Sequence, residues 1–128
     1  MLDHLGICVS DMAASRAFYS AALAPLGYAA LRNYTKEQTG SFEGTGFGVA
    51  PKPDFWIGNN GKPQSGVHIC FQAKDRATVD AFYRAAMAAG AKNNGAPGIR
   101  AHYHANYYGA FVYDPDGNNV EACCHLPE

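Results

Sequence analysis

Two histidines and one glutamate are the residues of this chain whose types and spacing best suit metal chemistry. His4 and His68 each lie in a short run in which apolar residues alternate with others, and Glu121 lies in a third such run. Because side chains alternate across a β-strand, all three point away from the apolar face of their strand. Two imidazoles and one carboxylate are a recurrent ligand set for Fe, Zn, Ni, Mn or Co that leaves open positions for a substrate. The pattern predicts a divalent metal site at His4, His68 and Glu121.

An internal repeat makes the two histidines equivalent. A histidine, an aspartate and a Phe-Tyr pair recur at one offset of 64 residues without gaps. The matched residues are His4 and His68, Asp11 and Asp75, and Phe18-Tyr19 and Phe82-Tyr83. We infer a single domain, 1–128, built from two modules at about 1–60 and 64–128. A two-fold arrangement of the modules would bring the two histidines together.

Each module is predicted to contain one strand, one helix and then three strands. Alternating residues indicate first strands at 3–10 and 67–72, and an aspartate suited to cap a helix follows each of them. The helices are expected at 12–23 and 76–89. The later strands are expected at 28–34, 46–49 and 55–58, and at 92–97, 107–113 and 119–124. Residues 58–63 are expected to be a linker, and 33–46 and 101–106 are each expected to be a loop or a ragged hairpin.

Composition excludes several classes of function. The net charge is −1 with no run of Lys or Arg, so the basic surface of a nucleic-acid-binding protein is absent. No apolar stretch approaches the roughly 20 residues that cross a bilayer, and the N-terminus has no signal-peptide pattern, so we expect a cytoplasmic protein that inserts in no membrane. The four cysteines form no C-x-x-C pair, and we expect them to be reduced and to pack as small apolar residues.

Other residues are weaker candidates for the site. The aromatic segment 102–108 precedes a predicted strand, and its His104 and Tyr108 are the candidates for moving a proton or holding an oxyanion. Packing on the sheet or on a second subunit is an equally good interpretation of that segment. Arg100 is a candidate for binding an anionic substrate, although it also suits a solvated surface. Three aromatic residues are candidates for lining an apolar substrate pocket or for the core: Tyr34, Phe47 and Trp56.

Three segments resemble the vicinal-oxygen-chelate superfamily, which includes glyoxalase I, bleomycin-resistance proteins and extradiol dioxygenases. They are 4–11 followed by Phe18-Tyr19, then 66–69, and then 111–121 with its D-P-D-G-N turn. The resemblance covers nearly the whole chain. It implies an α+β fold of two tandem βαβββ modules forming a cupped mixed β-sheet around the metal, with helices on the outer face. It also implies a homodimer that acts on a small-molecule substrate.

The resemblance leaves three functions open. The first is a glyoxalase-like lyase or isomerase that uses metal-chelated enolate chemistry. Glyoxalase I-like members carry a fourth ligand, a carboxylate in the first module, but the offset of 64 carries Glu121 onto Ile57. The second is a single-domain extradiol-type Fe(II) dioxygenase, although such enzymes are usually longer. The third is a non-catalytic drug-binding protein, a class that generally lacks the three ligands that this chain retains.

Overall fold

The computed structural model describes all 128 residues, and its strands and helices follow the predicted order twice. The first module comprises β1 (Leu5–Cys8), α1 (Met12–Leu23), β2 (Ala29–Tyr34), the short α2 (Lys36–Thr39), β3 (Gly44–Gly48) and β4 (Phe55–Gly58). The second module comprises β5 (His68–Gln72), α3 (Arg76–Ala88), β6 (Lys92–Ile99), β7 (Tyr108–Tyr113) and β8 (Asn119–Cys124). The prediction of two βαβββ modules is confirmed. None of the helices has the length and apolar character needed to span a bilayer.

Each module folds its four strands into one mixed sheet. The strand orders are β1-β4-β3-β2 and β5-β8-β7-β6, so the first strand of each module lies beside the last. That pair is parallel in both modules, and the remaining pairs are antiparallel. The predicted mixed sheet is thus present as two four-stranded halves, with no hydrogen-bonded ladder joining β1 to β5.

The helices begin where the aspartates predict. Asp11 accepts a hydrogen bond from the Ala14 amide at 3.0 Å, and Asp75 accepts one from the Thr78 amide at 2.7 Å. Each carboxylate thereby satisfies a free N–H group of the first helical turn. The segment 33–46, which we expected to be a loop or a ragged hairpin, joins the antiparallel strands β2 and β3 and also holds α2, because Thr35 and Gln38 form a reciprocal capping box around its first turn.

One hydrophobic core joins the two modules. Apolar residues of one face of each sheet pack together under α1 and α3, and the rings of Phe55 and Phe71 meet edge to face at 5.5 Å. The D-P-D-G-N turn also ties the modules, since the buried Asp114 accepts a 2.6 Å hydrogen bond from the Tyr19 hydroxyl of α1. Burial leaves only one face of each sheet free, and His68 and Glu121 lie on that face of the second sheet.

Candidate metal centre

His68 and Glu121 meet on the free face of the second sheet. His68 Nε2 lies 2.9 Å from Glu121 Oε2, although the residues are 53 positions apart in the sequence. The parallel pairing of β5 with β8 creates this contact, because it places Cys70 directly opposite Glu121 and His68 one step along the same face. Two of the three predicted metal ligands are therefore adjacent.

The Glu121 carboxylate is buried, and each of its two oxygen atoms has a hydrogen-bond partner. Its residue is 1% exposed, and the Tyr107 hydroxyl donates a hydrogen bond to Oε1 while His68 contacts Oε2. Gly109 on β7 makes room for it, because a Cβ at that position would lie 3.0 Å from Glu121 Oε1. Burial and the hydrogen bond to Glu121 raise the pKa of Tyr107. Tyr107 therefore remains a protonated donor to the carboxylate.

The spacing of these two side chains suits one metal ion. Imidazole nitrogen and carboxylate oxygen each lie about 2.0–2.2 Å from such an ion, so two of them at right angles are about 2.9 Å apart. The observed His68–Glu121 distance of 2.9 Å is that of a hydrogen bond, and it is also short enough for one ion to contact both atoms. The buried carboxylate supplies a negative charge and the imidazole supplies a nitrogen. Zn, Ni, Mn, Co and Fe accept both kinds of ligand. His68 and Glu121 thus fit the predicted cofactor.

His4 does not join this pair within one chain. It precedes β1, its side chain is 61% exposed, and its Nδ1 lies 2.8 Å from Asp3 Oδ1. No group of three metal-ligating side chains whose donor atoms lie within 4.8 Å of one another includes His4. The expected two-fold arrangement therefore does not bring the two imidazoles onto one point inside a single chain.

A pair of thiols extends the polar face beyond Glu121. The sulfur atoms of Cys70 and Cys123 are 3.3 Å apart, and Cys123 Sγ lies 3.6 Å from His125 Nε2. The hydrogen bond from Cys70 lowers the pKa of Cys123 to about 6 and raises the pKa of Cys70 itself. Our expectation that the cysteines are all buried apolar residues is wrong for Cys70, which is exposed.

His104 lies beside Tyr107, with the centroids of the two rings 5.4 Å apart. Its Nε2 contacts His125 Nδ1 at 2.7 Å, and its Nδ1 accepts a hydrogen bond from the Asn106 amide. The two imidazoles stack with their centroids 5.0 Å apart. His104 therefore contacts His125 and the Tyr107 ring, and it makes no hydrogen bond to His68 or Glu121.

Tyr107, rather than the predicted Tyr108, lies on the same face as the candidate metal ligands His68 and Glu121. Tyr108 points to the other side of β7, where its hydroxyl donates to Asp80 of α3 at 2.7 Å. Strand alternation explains the correction, because Tyr107, Gly109 and Phe111 share one face while Tyr108 and Ala110 share the helix side. Phe111 pairs with Glu121, so every second residue counted back from Phe111 lies on the face of Glu121. This count selects Tyr107.

The free face of the first module is aromatic. Tyr34 and Trp56 stack with centroids 5.8 Å apart and planes at 15°, and both line a cavity of about 410 Å³ with His4 and Phe42. Trp56 lies over Gly46, where a Cβ would come within 2.8 Å of the indole. Phe47 lies elsewhere: it is fully buried beneath α1 because β3 turns it to the helix side.

Arg100 lies over the free face of the second module. Its guanidinium is 5.3 Å from the centre of the Phe111 ring, and His68 stacks obliquely on the same ring at 6.4 Å. The guanidinium donates to the Ala96 carbonyl and forms no ion pair with a carboxylate. Arg100 and His68 thus pack against the same Phe111 ring, and no carboxylate pairs with the positive charge of Arg100.

Strand pairing corrects the alignment of the two modules. Gly6 pairs with Trp56, whereas its repeat partner Cys70 pairs with Glu121. Trp56, not Ile57, is therefore the counterpart of Glu121, because the second module has one more residue between its first and last strands. Ile57 lies in the core, 1% exposed. The first module still lacks a carboxylate at this position.

A sequence model of the Glyoxalase/Bleomycin resistance protein/Dioxygenase superfamily matches residues 1–122. The chain belongs to this superfamily. A glyoxalase/bleomycin resistance protein from Albidiferax ferrireducens T118 has the same fold, with a TM-score of 0.74 and 26% identity over 97% of this chain and 98% of that chain. A comparison with curated protein sequences found no significant match.

Other members of the superfamily share the fold at lower identity. A glyoxalase/bleomycin resistance protein/dioxygenase family enzyme from Burkholderia phytofirmans PsJN is 22% identical, with a TM-score of 0.66 over 98% of both chains. Glyoxalase I from Zea mays is 18% identical, with a TM-score of 0.70 over 99% of this chain and 45% of that chain. This chain therefore spans about half the length of the maize enzyme. The predicted family and fold are confirmed.

Tyr107 and Tyr108 offer a matched test of the metal centre. Tyr107→Phe is expected to lower the affinity for a divalent metal about 10–100-fold, because it removes the donor that orients Glu121. Tyr108→Phe should leave that affinity unchanged, since its hydroxyl contacts Asp80 on the helix side. Calorimetric titration of both variants with Mn²⁺ or Zn²⁺ measures the difference. Equal affinities in the two variants would contradict the expectation that Tyr107 supports Glu121 as a metal ligand.

Proposed function

We propose that this chain is a metal-dependent, glyoxalase-like enzyme that acts on a small oxygenated substrate by lyase or isomerase chemistry. The supporting observation is the contact between His68 Nε2 and Glu121 Oε2, 2.9 Å apart on a free sheet face. A bound divalent cation would polarise a substrate carbonyl and stabilise an adjacent enolate charge. His68 and Glu121 would hold that cation, and Tyr107 would keep the carboxylate in its orientation.

We also propose that a second copy of the chain supplies His4. Within one chain His4 lies outside the strand and away from the other two ligands, yet it remains exposed. A homodimer in which one copy contributes His4 and the other contributes His68 and Glu121 would complete the predicted set. Such pairing would also place the aromatic cavity of one copy against the polar face of the other.

The side chains around these two faces indicate what kind of substrate would bind. The cavity beside His4 holds about 410 Å³, which is within the size range of small-molecule sites. Stacked Tyr34 and Trp56 offer it a flat apolar wall. Arg100 supplies a positive charge near His68. We infer a compact substrate with neighbouring oxygen atoms and an anionic group.

Metal content and turnover together test the proposed chemistry. Protein purified without chelators should contain Zn, Ni, Mn or Co at one ion per chain, and the metal-loaded enzyme should act on an α-oxoaldehyde such as methylglyoxal with a thiol cosubstrate. Bound iron with oxygen uptake on catechols would instead establish the dioxygenase alternative. Protein that takes up no metal under loading conditions would contradict both enzymatic proposals.

One observation favours a second candidate, a non-catalytic binder of planar molecules. Trp56 is the only tryptophan of the chain and stacks on Tyr34 inside the aromatic cavity. If planar aromatic compounds bind there, they should quench the Trp56 fluorescence, and Tyr34→Ala should weaken that binding by about 0.5–1.5 kcal/mol. Tyr113→Ala, an exposed tyrosine outside the cavity, is the control. Unchanged fluorescence across a panel of planar ligands would rule out this candidate.

A further inference from the structure

We propose that Asn119 is a substrate-binding residue whose side-chain amide donates a hydrogen bond to a substrate oxygen beside His68 and Glu121. Asn119 pairs with His68 in the register between β5 and β8, and it lies two residues before Glu121 on β8. All three side chains therefore share the free face of the second sheet. The inference rests on the proposed function, and it adds the residue that binds the oxygen on which negative charge develops.

Four facing positions of β5 and β8 form a square on this face. His68 lies opposite Asn119, and one step along the same face Cys70 lies opposite Glu121. His68 and Glu121 therefore occupy one diagonal of the square, and Cys70 and Asn119 occupy the other. The Cys70 thiol already contacts Cys123 Sγ at 3.3 Å. Asn119 is thus the remaining polar side chain that directly borders the contact between the two proposed ligands.

A hydrogen bond from Asn94 orients the Asn119 amide. Asn94 Nδ2 donates to Asn119 Oδ1 at 3.1 Å, although the two residues lie on β6 and β8 with β7 between those strands. The carbonyl oxygen of the Asn119 side chain is thereby occupied, while its NH₂ group donates to no other atom of the protein. A side-chain amide carries two N–H donors. These donors are free to bind an oxygen atom of a ligand.

A β-bulge brings Asn94 within reach of Asn119. The register of β6 against β7 passes from Asn93 to Gly95, so Asn94 is an extra residue without a partner on β7. Asn93 points to the helix side, where it accepts a 3.0 Å hydrogen bond from the Tyr83 hydroxyl of α3. The bulge redirects the next side chain, and Asn94 reaches across the free face instead.

The first module has a bulge at the same place but no amide pair. The strand registers put Leu31 of the first module where Asn94 lies in the second. They likewise put Asp54 where Asn119 lies, and the Asp54 carboxylate accepts a 2.9 Å hydrogen bond from the Tyr28 hydroxyl. The amide pair is therefore not a general feature of the repeated fold. It occurs in the module in which the proposed ligands meet.

A free amide N–H suits an oxygen that becomes negatively charged during a reaction. A donor that is already oriented stabilises an oxyanion in the transition state more than it stabilises the neutral carbonyl of the substrate. Loss of one such donor lowers kcat by about 10²–10³-fold in enzymes that use it. Asn94 does not touch the substrate in this arrangement, and it acts as a positioning residue for Asn119.

Oxalate binding to the Zn²⁺-loaded protein tests the role of Asn119 without turnover. Oxalate carries negative charge and two neighbouring oxygen atoms, as the proposed substrate does. Asn119→Ala should weaken oxalate binding by about 10–100-fold in calorimetric titration, the range for a hydrogen bond to a charged group, without changing Zn²⁺ affinity. Asn94→Ala should weaken oxalate binding by a smaller factor. Asn59→Asp is the control, because it keeps the hydrogen bond from the Glu43 amide in the first module.

The side-chain amide signals of Asn119 give a second measurement on the wild-type protein. In a ¹⁵N-labelled sample loaded with Zn²⁺, oxalate should shift the Nδ2 proton signals of Asn119, which are identified by their loss in Asn119→Ala. The shift should be absent when oxalate is added without Zn²⁺. Should Asn119→Ala fail to fold, Asn119→Asp identifies the signals and the wild-type shift decides the question.

The outcomes separate this inference from the proposed function. Oxalate that binds Asn119→Ala as tightly as wild type, with unshifted amide signals, would overturn the role of Asn119 and leave the metal centre intact. A lower unfolding temperature of that variant with unchanged oxalate affinity would likewise overturn it, since the amide pair would then serve only the fold. Oxalate binding that depends on Asn119 in a protein without turnover would support this inference and contradict the enzyme. Protein that binds no Zn²⁺ would overturn both.

Discussion

Replacing Glu121 by glutamine is expected to lower the affinity of the protein for a divalent metal by at least about 100-fold, since loss of a mere supporting partner costs 10–100-fold. Glutamine keeps the shape of the side chain, and its amide can still accept from Tyr107 and donate to His68. The variant should therefore fold normally while losing the negative charge that holds the cation. Metal content after dialysis, together with thermal unfolding, measures both effects.

Glu43→Gln is the matched control for this substitution. Glu43 lies just before β3 in the first module, and its carboxylate contacts only Arg16 at 4.0 Å. Its replacement should change neither metal content nor activity. Equal metal content in wild type and Glu121→Gln would contradict the role given to the buried carboxylate, whatever the activity of either protein.

Mixed dimers of His4→Ala and Glu121→Gln are expected to recover metal sites that neither variant has alone. If His4 of one copy joins His68 and Glu121 of the other, a random mixture contains intact sites at about a quarter of the wild-type number, because half of the dimers are mixed and each has one intact site. The two variants are refolded together, and metal bound per chain is then measured.

A second mixture controls for nonspecific recovery. His68→Ala mixed with Glu121→Gln should recover nothing, because both residues belong to the same half of each site. Recovery in the first mixture alone would establish sharing between copies. No recovery in either mixture, or a wild-type chain that sediments as a monomer at micromolar concentration, would contradict the shared site.

The alternation of side chains along strands predicted the part of the candidate site that lies on a single sheet, His68 and Glu121. His68 and Glu121 lie on adjacent parallel strands, so their phase in the sequence was enough to place them on one face. The repeat predicted the modules and their helix caps for the same reason, since Asp11 and Asp75 act within their own turns. Local periodicity thus fixes which face a residue occupies.

The register of a residue against the neighbouring strand, and its distance from the other module, were harder to predict. An offset without gaps could not account for the one extra residue of the second module. It therefore matched Glu121 to Ile57 instead of Trp56. Tyr108 was chosen over Tyr107 because both tyrosines border β7, and only pairing with β8 decides which one faces Glu121. How close His4 comes to the other ligands depends on packing between sheets, which periodicity does not encode.

X-ray diffraction from a crystal of the protein grown with Co²⁺ would locate the cation directly through its anomalous scattering. We predict a peak within about 2.0–2.2 Å of both His68 Nε2 and a Glu121 oxygen, with His4 of a second copy completing the imidazole pair. A crystal containing cobalt but showing no peak between these two side chains would contradict the metal centre on which the proposed function depends.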